Sequence, residues 1–186
     1  MKTVIRWIGA VIGLVVLLFV VAIAIGTSLP IAHVATCSAQ YKQSPATLRA
    51  AVADDATSTS WRSDVKAVHR EATSNGETRW VETYNSGQTL PYLERLNSWG
   101  IDRRIDDPDL PFADEWKYKF QSSGGGTQMT ISEFGEIYNP VFRLIEHFFT
   151  GYSATIKTYM TDLGKKYDES PSIACSVTTY PGGLPK

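Results

Sequence analysis

The feature that most constrains this chain is an apolar segment near its N-terminus. Residues 7–25 carry no charged side chain, and the stretch without Lys, Arg, Asp or Glu extends from Arg6 to Lys42. A helix rises about 1.5 Å per residue, so this segment would cover roughly 28 Å, close to the ~30 Å hydrocarbon core of a bilayer. The sequence therefore predicts one transmembrane helix over residues 7–25.

The charges beside this segment predict its orientation. Basic residues precede it within residues 1–6, whereas the first basic residue after it is Lys42. The positive-inside rule then places the N-terminus in the cytoplasm and the following chain outside. A cleaved signal peptide is the alternative, because Ala22 and Ala24 have the spacing of a cleavage site, and cleavage after Ala24 would give a secreted protein. The run exceeds the usual apolar core of roughly 7–15 residues, so we favour an uncleaved, single-pass anchor in the cytoplasmic membrane.

The rest of the chain is expected to form one domain. We assign residues 26–32 to a linker, residues 33–168 to the domain and residues 169–186 to an irregular tail rich in Pro and Gly. This length suffices to bury a core. The formal net charge of −1 and the absence of a basic cluster exclude a nucleic-acid surface.

The chain has two cysteines, Cys37 near the start of the domain and Cys175 near its end. In an exported domain they could form a disulfide, because the compartments outside the cytoplasm are oxidising. Two unpaired thiols are the alternative, since the sequence does not show whether the residues come close enough to bond.

Hydrophobic periodicity predicts the order of the helices and strands. Alternation and turn residues predict one strand at the start of the domain and a six-stranded meander after Asp64, at residues 33–42, 65–72, 78–84, 89–99, 101–106, 115–121 and 127–133. Such short connections favour antiparallel neighbours. Ser44-Pro45 predicts the start of a short helix, and Asn139-Pro140 begins an apolar stripe that continues to Leu163 and predicts a long helix.

Three local motifs occur at corresponding places in this element order. Ser44-Pro45 opens the first helix, residues 61–65 (WRSDV) enter the second strand, and residues 135–142 (GEIYNPVF) lead into the long helix. Together with the element order, these motifs resemble the SRPBCC superfamily, also called START-like, in the branch labelled polyketide cyclase/dehydrase. The resemblance covers about residues 33–168.

This resemblance implies an α+β helix-grip fold, in which a seven-stranded antiparallel sheet wraps around the long C-terminal helix and leaves a hydrophobic cavity. Here one transmembrane helix would precede that domain. Members of the superfamily bind lipids, sterols, polyketides or other apolar molecules, and some catalyse cyclisation or dehydration. Fold alone does not determine function, so the site residues need a separate argument.

Aromatic and aliphatic side chains on the predicted inner faces are candidates to line such a cavity. They are Trp80, Tyr92, Trp116, Tyr118, Met129, Phe142, Ile145, Phe149 and Tyr152. For each residue, ordinary core packing is the alternative.

Glu133 is the one weak candidate for a catalytic group. It continues the alternation of Thr127, Met129 and Ile131 and so points inward, where burial would raise the pKa of its carboxyl. A β-bulge at Gly135 would instead turn it outward. The three histidines lie on different predicted elements without metal-ligand spacing, so neither a metal nor a cofactor is expected.

Three functional hypotheses follow. The leading one is a membrane-anchored START-like domain that binds a hydrophobic small molecule or lipid without catalysis. The second is a cyclase- or dehydratase-like enzyme that uses Glu133 or a cavity tyrosine as proton donor. The third is an interaction module with a vestigial cavity, which would expose a large apolar patch.

Overall fold

The computed structural model describes residues 2–184, and it begins with a long helix, α1 (Lys2–Ser28). Residues Arg6–Ser28 are long and apolar enough to cross a membrane, although a signal sequence meets the same criterion. The side chains of residues 7–20 are all exposed, so the domain does not bury this part of the helix. Because α1 continues to Ser28, the predicted linker over residues 26–32 is wrong in extent and shortens to residues 29–31.

One antiparallel sheet forms the body of the domain, with strand order β2-β3-β4-β5-β6-β7-β1-β8. The strands are β1 (Ala32–Tyr41), β2 (Val65–Ser74), β3 (Glu77–Tyr84), β4 (Thr89–Leu96), β5 (Gly100–Ile105), β6 (Phe112–Ser123), β7 (Gly126–Ile137) and β8 (Ile173–Tyr180). The first seven correspond to the predicted strands, with their ends shifted by a few residues. Short turns join β2 to β7 as a meander, and β1 pairs with β7 to extend the sheet.

The eighth strand corrects the prediction of seven strands and of an irregular tail over residues 169–186. β8 pairs with β1 from Ala32 opposite Tyr180 to Ala39 opposite Ile173. It is an edge strand with mostly half-exposed and exposed side chains, so its sequence lacks the alternation that identified the other strands. Pro185 and Lys186, also assigned to the tail, lie outside the described residues.

Cys37 and Cys175 are directly opposite each other on β1 and β8 and form a disulfide, with their Cα atoms 4.1 Å apart. The bond closes a sequence separation of 138 residues. On the loop-entropy model, a closure of this length stabilises the fold by up to about 5 kcal/mol. The bond therefore holds an otherwise weak edge strand on the sheet.

The predicted single long C-terminal helix is wrong, because the chain breaks it into segments. They are α3 (Pro140–Ile145), a π-helical turn (Glu146–Thr150) and α4 (Ala154–Lys166). Gly151 separates the last two with φ of +78°, a conformation that favours glycine. The apolar stripe divides accordingly, since Leu163 on α4 is buried whereas Phe149 on the π-helical turn is exposed.

The main core lies between the concave face of the sheet and the helices. α4 contributes Ile156 and Leu163, and the sheet contributes Ile101 and Ile131. The remaining helices are α2 (Pro45–Ala53), which adds Leu48 and Val52 to the core, and a 3₁₀ turn (Asp55–Ser60). The side chain of Ser44 caps α2 as the sequence predicted, accepting a hydrogen bond from the amide of Thr47.

One end of the sheet adjoins α1, and we call it the anchor end. β1 and β6 begin there and β7 ends there, with Ala32 opposite Glu136 and Phe112 opposite Ile137. Gly26 of α1 packs so closely on α3 that a Cβ atom at this position would overlap the carbonyl of Pro140. Arg143 of α3 is buried and donates a hydrogen bond of 3.0 Å to the carbonyl oxygen of Leu29. These contacts place α3 beside the last turns of α1.

Candidate functional site

A cavity of about 500 Å³ lies between the sheet and the helices α3 and α4. This volume is within the range of small-molecule sites, roughly 300–1,000 Å³. Five of the nine predicted cavity residues line it: Tyr92, Trp116, Tyr118, Phe142 and Ile145. Other apolar lining residues are Leu90, Ile105, Phe112, Ile137 and Tyr159. The walls are therefore mostly aromatic and aliphatic.

The other four predicted residues do not line the cavity. Trp80 and Met129 are fully buried in the core, and Trp80 stacks on Tyr92 with ring centroids 5.7 Å apart. Tyr152 packs against the ring of His33, with centroids 4.4 Å apart. Phe149 is 78% exposed, because the break in the long helix removes its segment from the face that α4 presents to the sheet.

A polar network forms one wall of the cavity. Arg62 is buried, and its Nη1 atom lies 2.9 Å from both carboxylate oxygens of Glu82. Asp64 accepts two further hydrogen bonds from the same guanidinium. The hydroxyl of Tyr84 donates to Glu82 at 2.9 Å and lies 2.6 Å from the hydroxyl of Tyr92. The charges of this wall are thus compensated within the protein.

A second buried ion pair flanks this network. Arg103 donates a hydrogen bond of 2.8 Å to Glu94 and another to the carbonyl of Val52. Its guanidinium also lies over the rings of Trp80 and Tyr118, at 4.8 and 5.3 Å from their centroids. Because Arg103 is held by these contacts, it serves to position the aromatic wall.

Glu82 and Glu94 were not predicted from the sequence as site residues. The available indication for Glu82 was the alternation along β3, which puts it on the same face as the buried Trp80. Glu82 pairs with Arg62, which precedes β2, and Glu94 on β4 pairs with Arg103 on β5. The sequence alone does not provide these pairings.

A different cluster of polar side chains surrounds Gly135 near the anchor end. Glu133 follows the predicted alternation and lines the cavity, and the pairing of β7 with its neighbours is regular through Gly135. The alternative of an outward turn at a bulge is therefore wrong. Nε2 of His33 lies 3.1 Å from Oε1 of Glu133. His33 is opposite Gly135, where any Cβ atom would overlap the imidazole ring, so glycine provides the space for this pair.

Asp114 of β6 completes the cluster. It lines the cavity and lies opposite Gly135, beside Trp116, which is opposite Glu133. Among residues 2–184, Oδ1 of Asp114 and Oε2 of Glu133 are buried without a hydrogen-bond partner. Two carboxyl groups thus share one end of the cavity with unused hydrogen-bonding capacity.

Burial determines the protonation of this cluster. Burial, together with the smaller effect of the nearby charge of Glu146, raises the pKa of Glu133 to about 8. Burial also lowers the pKa of His33 to about 4, against an opposing effect of Glu146. The pKa of Asp114 is well above its ordinary value because of burial and the neighbouring Glu133. At neutral pH the close contact of His33 and Glu133 is therefore a hydrogen bond between neutral groups rather than an ion pair.

This arrangement can perform two kinds of chemistry. A protonated Glu133 can donate a hydrogen bond to a ligand oxygen, or it can transfer a proton to one. Within the part of the chain that the structure describes, no group of three or more His, Cys, Asp or Glu side chains could hold a metal ion.

Comparison with solved structures identifies the fold. The chain superposes on a START superfamily protein from Mycobacterium smegmatis with a TM-score of 0.56 and 16% identity, covering 73% of this chain and 97% of that one. The fold is START-like. Norcoclaurine synthase from Thalictrum flavum gives a TM-score of 0.58 at 11% identity, with coverages of 78% and 91%.

The di-domain ARO/CYC BexL from the BE-7585A biosynthetic pathway gives a TM-score of 0.52 at 12% identity. The match covers 74% of this chain but only 47% of that one, so the chain spans about half the length of the di-domain protein. Neither a protein-family model nor a curated protein sequence matches the chain. The expected SRPBCC resemblance is confirmed at the level of fold, with a cavity between sheet and helices.

Proposed function

We propose that this protein is a membrane-anchored START-like domain that binds a hydrophobic small molecule or lipid. The observation that carries the proposal is the cavity of about 500 Å³, walled mainly by aromatic and aliphatic side chains. Binding against such walls removes apolar surface from water, which favours binding by roughly 25 cal/mol of free energy for each Å² removed. The START-like fold supports the same function, since it forms the cavity between the sheet and the helices.

The polar groups of the cavity constrain the ligand further. Arg62 and Glu82 satisfy each other, and Arg103 pairs with Glu94. In the described part of the chain, several polar atoms of cavity-lining residues remain without a hydrogen-bond partner: Oδ1 of Asp114, Oε2 of Glu133, Nδ1 of His33, Nε1 of Trp116 and the hydroxyl of Tyr118. The ligand is therefore a mainly apolar molecule that carries at least one polar group able to pair with these atoms.

Two features support a location at the outer face of the cytoplasmic membrane. α1 has the length and composition of a membrane span, and its charge flanks favour an N-terminus inside. The disulfide between Cys37 and Cys175 fits an oxidising compartment. If the chain is cleaved after Ala24, the domain would be secreted with the same cavity.

Mass spectrometry of bound ligand tests the proposal. The full chain is purified in detergent, extracted with organic solvent and compared with two variants, Ile145→Trp and Val177→Trp. Ile145 lines the cavity and is 42% exposed, whereas Val177 lies on β8, does not line the cavity and is 43% exposed. A bulkier residue at Ile145 should reduce the bound ligand by at least about fivefold, and the change at Val177 should not.

This comparison separates cavity ligand from lipid that adheres to α1, because both variants keep the same α1. Equal extracts from the wild type and both variants would mean that the co-purified lipid is not in the cavity. That result, or an empty extract from the wild type, would overturn the proposal.

A second function is supported by one specific observation, the position of Glu133 in the cavity with a pKa of about 8. A carboxyl that is protonated at neutral pH can act as a general acid. In a dehydration, Glu133 would give its proton to a leaving hydroxyl, which departs as water with the electrons of its C–O bond. The carboxylate would then recover a proton from the adjacent carbon as the double bond forms.

Expression of Glu133→Gln in the same host distinguishes the two functions. For a dehydratase, the variant should retain a ligand heavier by one water than the ligand in the wild type, because substrate accumulates unconverted. For a binding protein, both chains should carry the same ligand. A cyclisation without loss of water would appear as equal masses with different chromatographic retention.

A further inference from the structure

The segment of chain that connects β7 to α4 carries a group of exposed apolar side chains. It consists of Tyr138, Phe142, Ile145, Phe148 and Phe149, and we call it the aromatic patch. Phe148 is 60% exposed and Phe149 is 78% exposed. Other exposed large apolar residues of the domain occur singly or in pairs elsewhere, at Leu96, Trp99 and Val177. A concentration of this kind marks an interaction site in a folded protein.

The position of the patch points to its partner. α3 packs on the end of α1 through Gly26 and Pro140, and the hydrogen bond from Arg143 to Leu29 ties the two elements together. Ala22 and Ile23 of α1 are half-buried, whereas residues 7–20 are all exposed. α3 thus lies beside the last turns of α1, where a membrane-spanning α1 would leave the bilayer.

The charges of the segment fit the same partner. Residues 138–149 contain two charged side chains, Arg143 and Glu146. Arg143 is buried and hydrogen-bonded to backbone carbonyls, and Glu146 is half-buried and lines the cavity. The outward side of the segment therefore presents mainly aromatic and aliphatic groups, as in helices that lie at a membrane interface.

The patch is also part of the cavity. Phe142 and Ile145 both line the cavity and are exposed at its surface, so the two regions share a boundary. Phe142 and Ile145 thus border both the patch and the cavity that Glu133 also lines.

From these contacts we propose that the aromatic patch inserts into the leaflet next to α1 and that the cavity opens into the bilayer. The ligand then exchanges between the lipid and the cavity without crossing water. This inference rests on the proposed function for the ligand, but the insertion of the patch can be measured independently of it.

Depth-dependent fluorescence quenching tests the insertion. The full chain carries a single added cysteine, labelled with the fluorophore NBD, and is reconstituted into phosphatidylcholine vesicles that contain doxyl-labelled lipid. The native cysteines are joined in a disulfide, so the added thiol alone reacts without reductant. Phe149→Cys reports on the patch, and Trp99→Cys is the matched control.

Trp99 is a suitable control because it is exposed and apolar but lies away from the anchor end. It precedes Gly100, which is opposite Lys119, whereas the anchor end of β6 is Phe112, opposite Ile137. These positions are roughly 23 Å apart along the strand. We expect the label at residue 149 to be quenched at least about threefold more strongly than the label at residue 99 and to emit at shorter wavelength. Equal quenching at both positions, or emission typical of water at residue 149, would overturn the inference.

The outcome is separable from that of the proposed function. A water-exposed label on a protein whose extract contains cavity ligand would refute insertion alone. A deeply quenched label on a protein with an empty cavity would refute ligand binding alone.

Discussion

His33 and Glu133 lie on neighbouring strands, and their side chains meet at 3.1 Å in the space left by Gly135. Burial raises the pKa of the carboxyl and lowers the pKa of the imidazole, so both are neutral around pH 7. Burying a neutral polar pair in an apolar cavity costs less free energy than burying a charged pair. The protonated carboxyl of Glu133 also retains a proton that it can donate to the ligand. The cavity thus has one chemically distinct end, near the end of α1.

The raised pKa of Glu133 predicts a pH-dependent loss of stability. The carboxyl is neutral in the folded state up to a pKa of about 8, whereas in the unfolded chain it ionises around pH 4.5. The unfolded state therefore becomes relatively more favourable as pH rises from 4.5 to 8. Glu133→Gln should remove this loss, so we expect it to stabilise the fold at pH 8 by at least about 1 kcal/mol and to have little effect at pH 4.5.

Unfolding of the full chain in detergent, followed by tryptophan fluorescence at both pH values, measures this difference. Glu115→Gln is the control, because that side chain is 41% exposed and pairs with Lys117 on the surface. His33 acts in the opposite direction, since its lowered pKa makes stability fall as pH drops from 6.5 to 4. Glu133→Gln and Glu115→Gln should both retain this loss of stability at acidic pH. If Glu133→Gln gained the same stability at pH 4.5 and at pH 8, the result would contradict a buried carboxyl that is neutral in the folded state.

Gly135 provides a steric test of the same site. Gly135→Ala would place a methyl group within the ring of His33, so either the ring moves or the fold is strained. We expect a destabilisation of about 1–3 kcal/mol, together with weaker ligand retention. Gly182→Ala is the control, because a Cβ atom there meets nothing within 4 Å. Equal stability of the two variants in thermal unfolding would show that the space over Gly135 is not needed.

The sequence predicted most elements of this fold because their patterns are local. Alternation along β7 placed Glu133 inside, and the proline after Ser44 marked the start of α2. β8 was missed because an edge strand needs little alternation, and the break at Gly151 was missed because the apolar stripe continues on both sides of it. The pairing of His33 with Glu133 joins residues 100 positions apart and depends on strand register, which no local pattern encodes.

The disulfide predicts a local role for β8. Replacing both Cys37 and Cys175 by alanine should lower the free energy of unfolding by about 2–5 kcal/mol, the usual effect of removing a native disulfide from a small domain. Because β8 is the edge strand, hydrogen exchange should increase most in residues 173–180 and least in β6 and β7. The wild type treated with reductant should behave like the double variant. Identical exchange of the wild type with and without reductant would contradict a bonded pair.

The ion pair between Arg62 and Glu82 predicts a large effect from a single substitution. Both side chains are buried, and Arg62→Leu would leave the carboxylate of Glu82 without its cation. Removing one partner of a buried ion pair typically lowers the free energy of unfolding by about 3–5 kcal/mol. Arg79→Leu is the matched control, because Arg79 is 43% exposed and its pairs with Glu71 and Asp106 lie at the surface, where each contributes at most about 1 kcal/mol.

Denaturant unfolding of the two variants measures this contrast. Arg62→Leu should also reduce the retained ligand, since Arg62 and Glu82 form part of the cavity wall and the freed carboxylate would attract water into it. The double variant Arg62→Leu/Glu82→Leu should recover part of the stability, because it removes the uncompensated charge rather than exposing it. If the single and double variants are equally unstable, the loss of stability in Arg62→Leu comes from packing and not from the uncompensated charge.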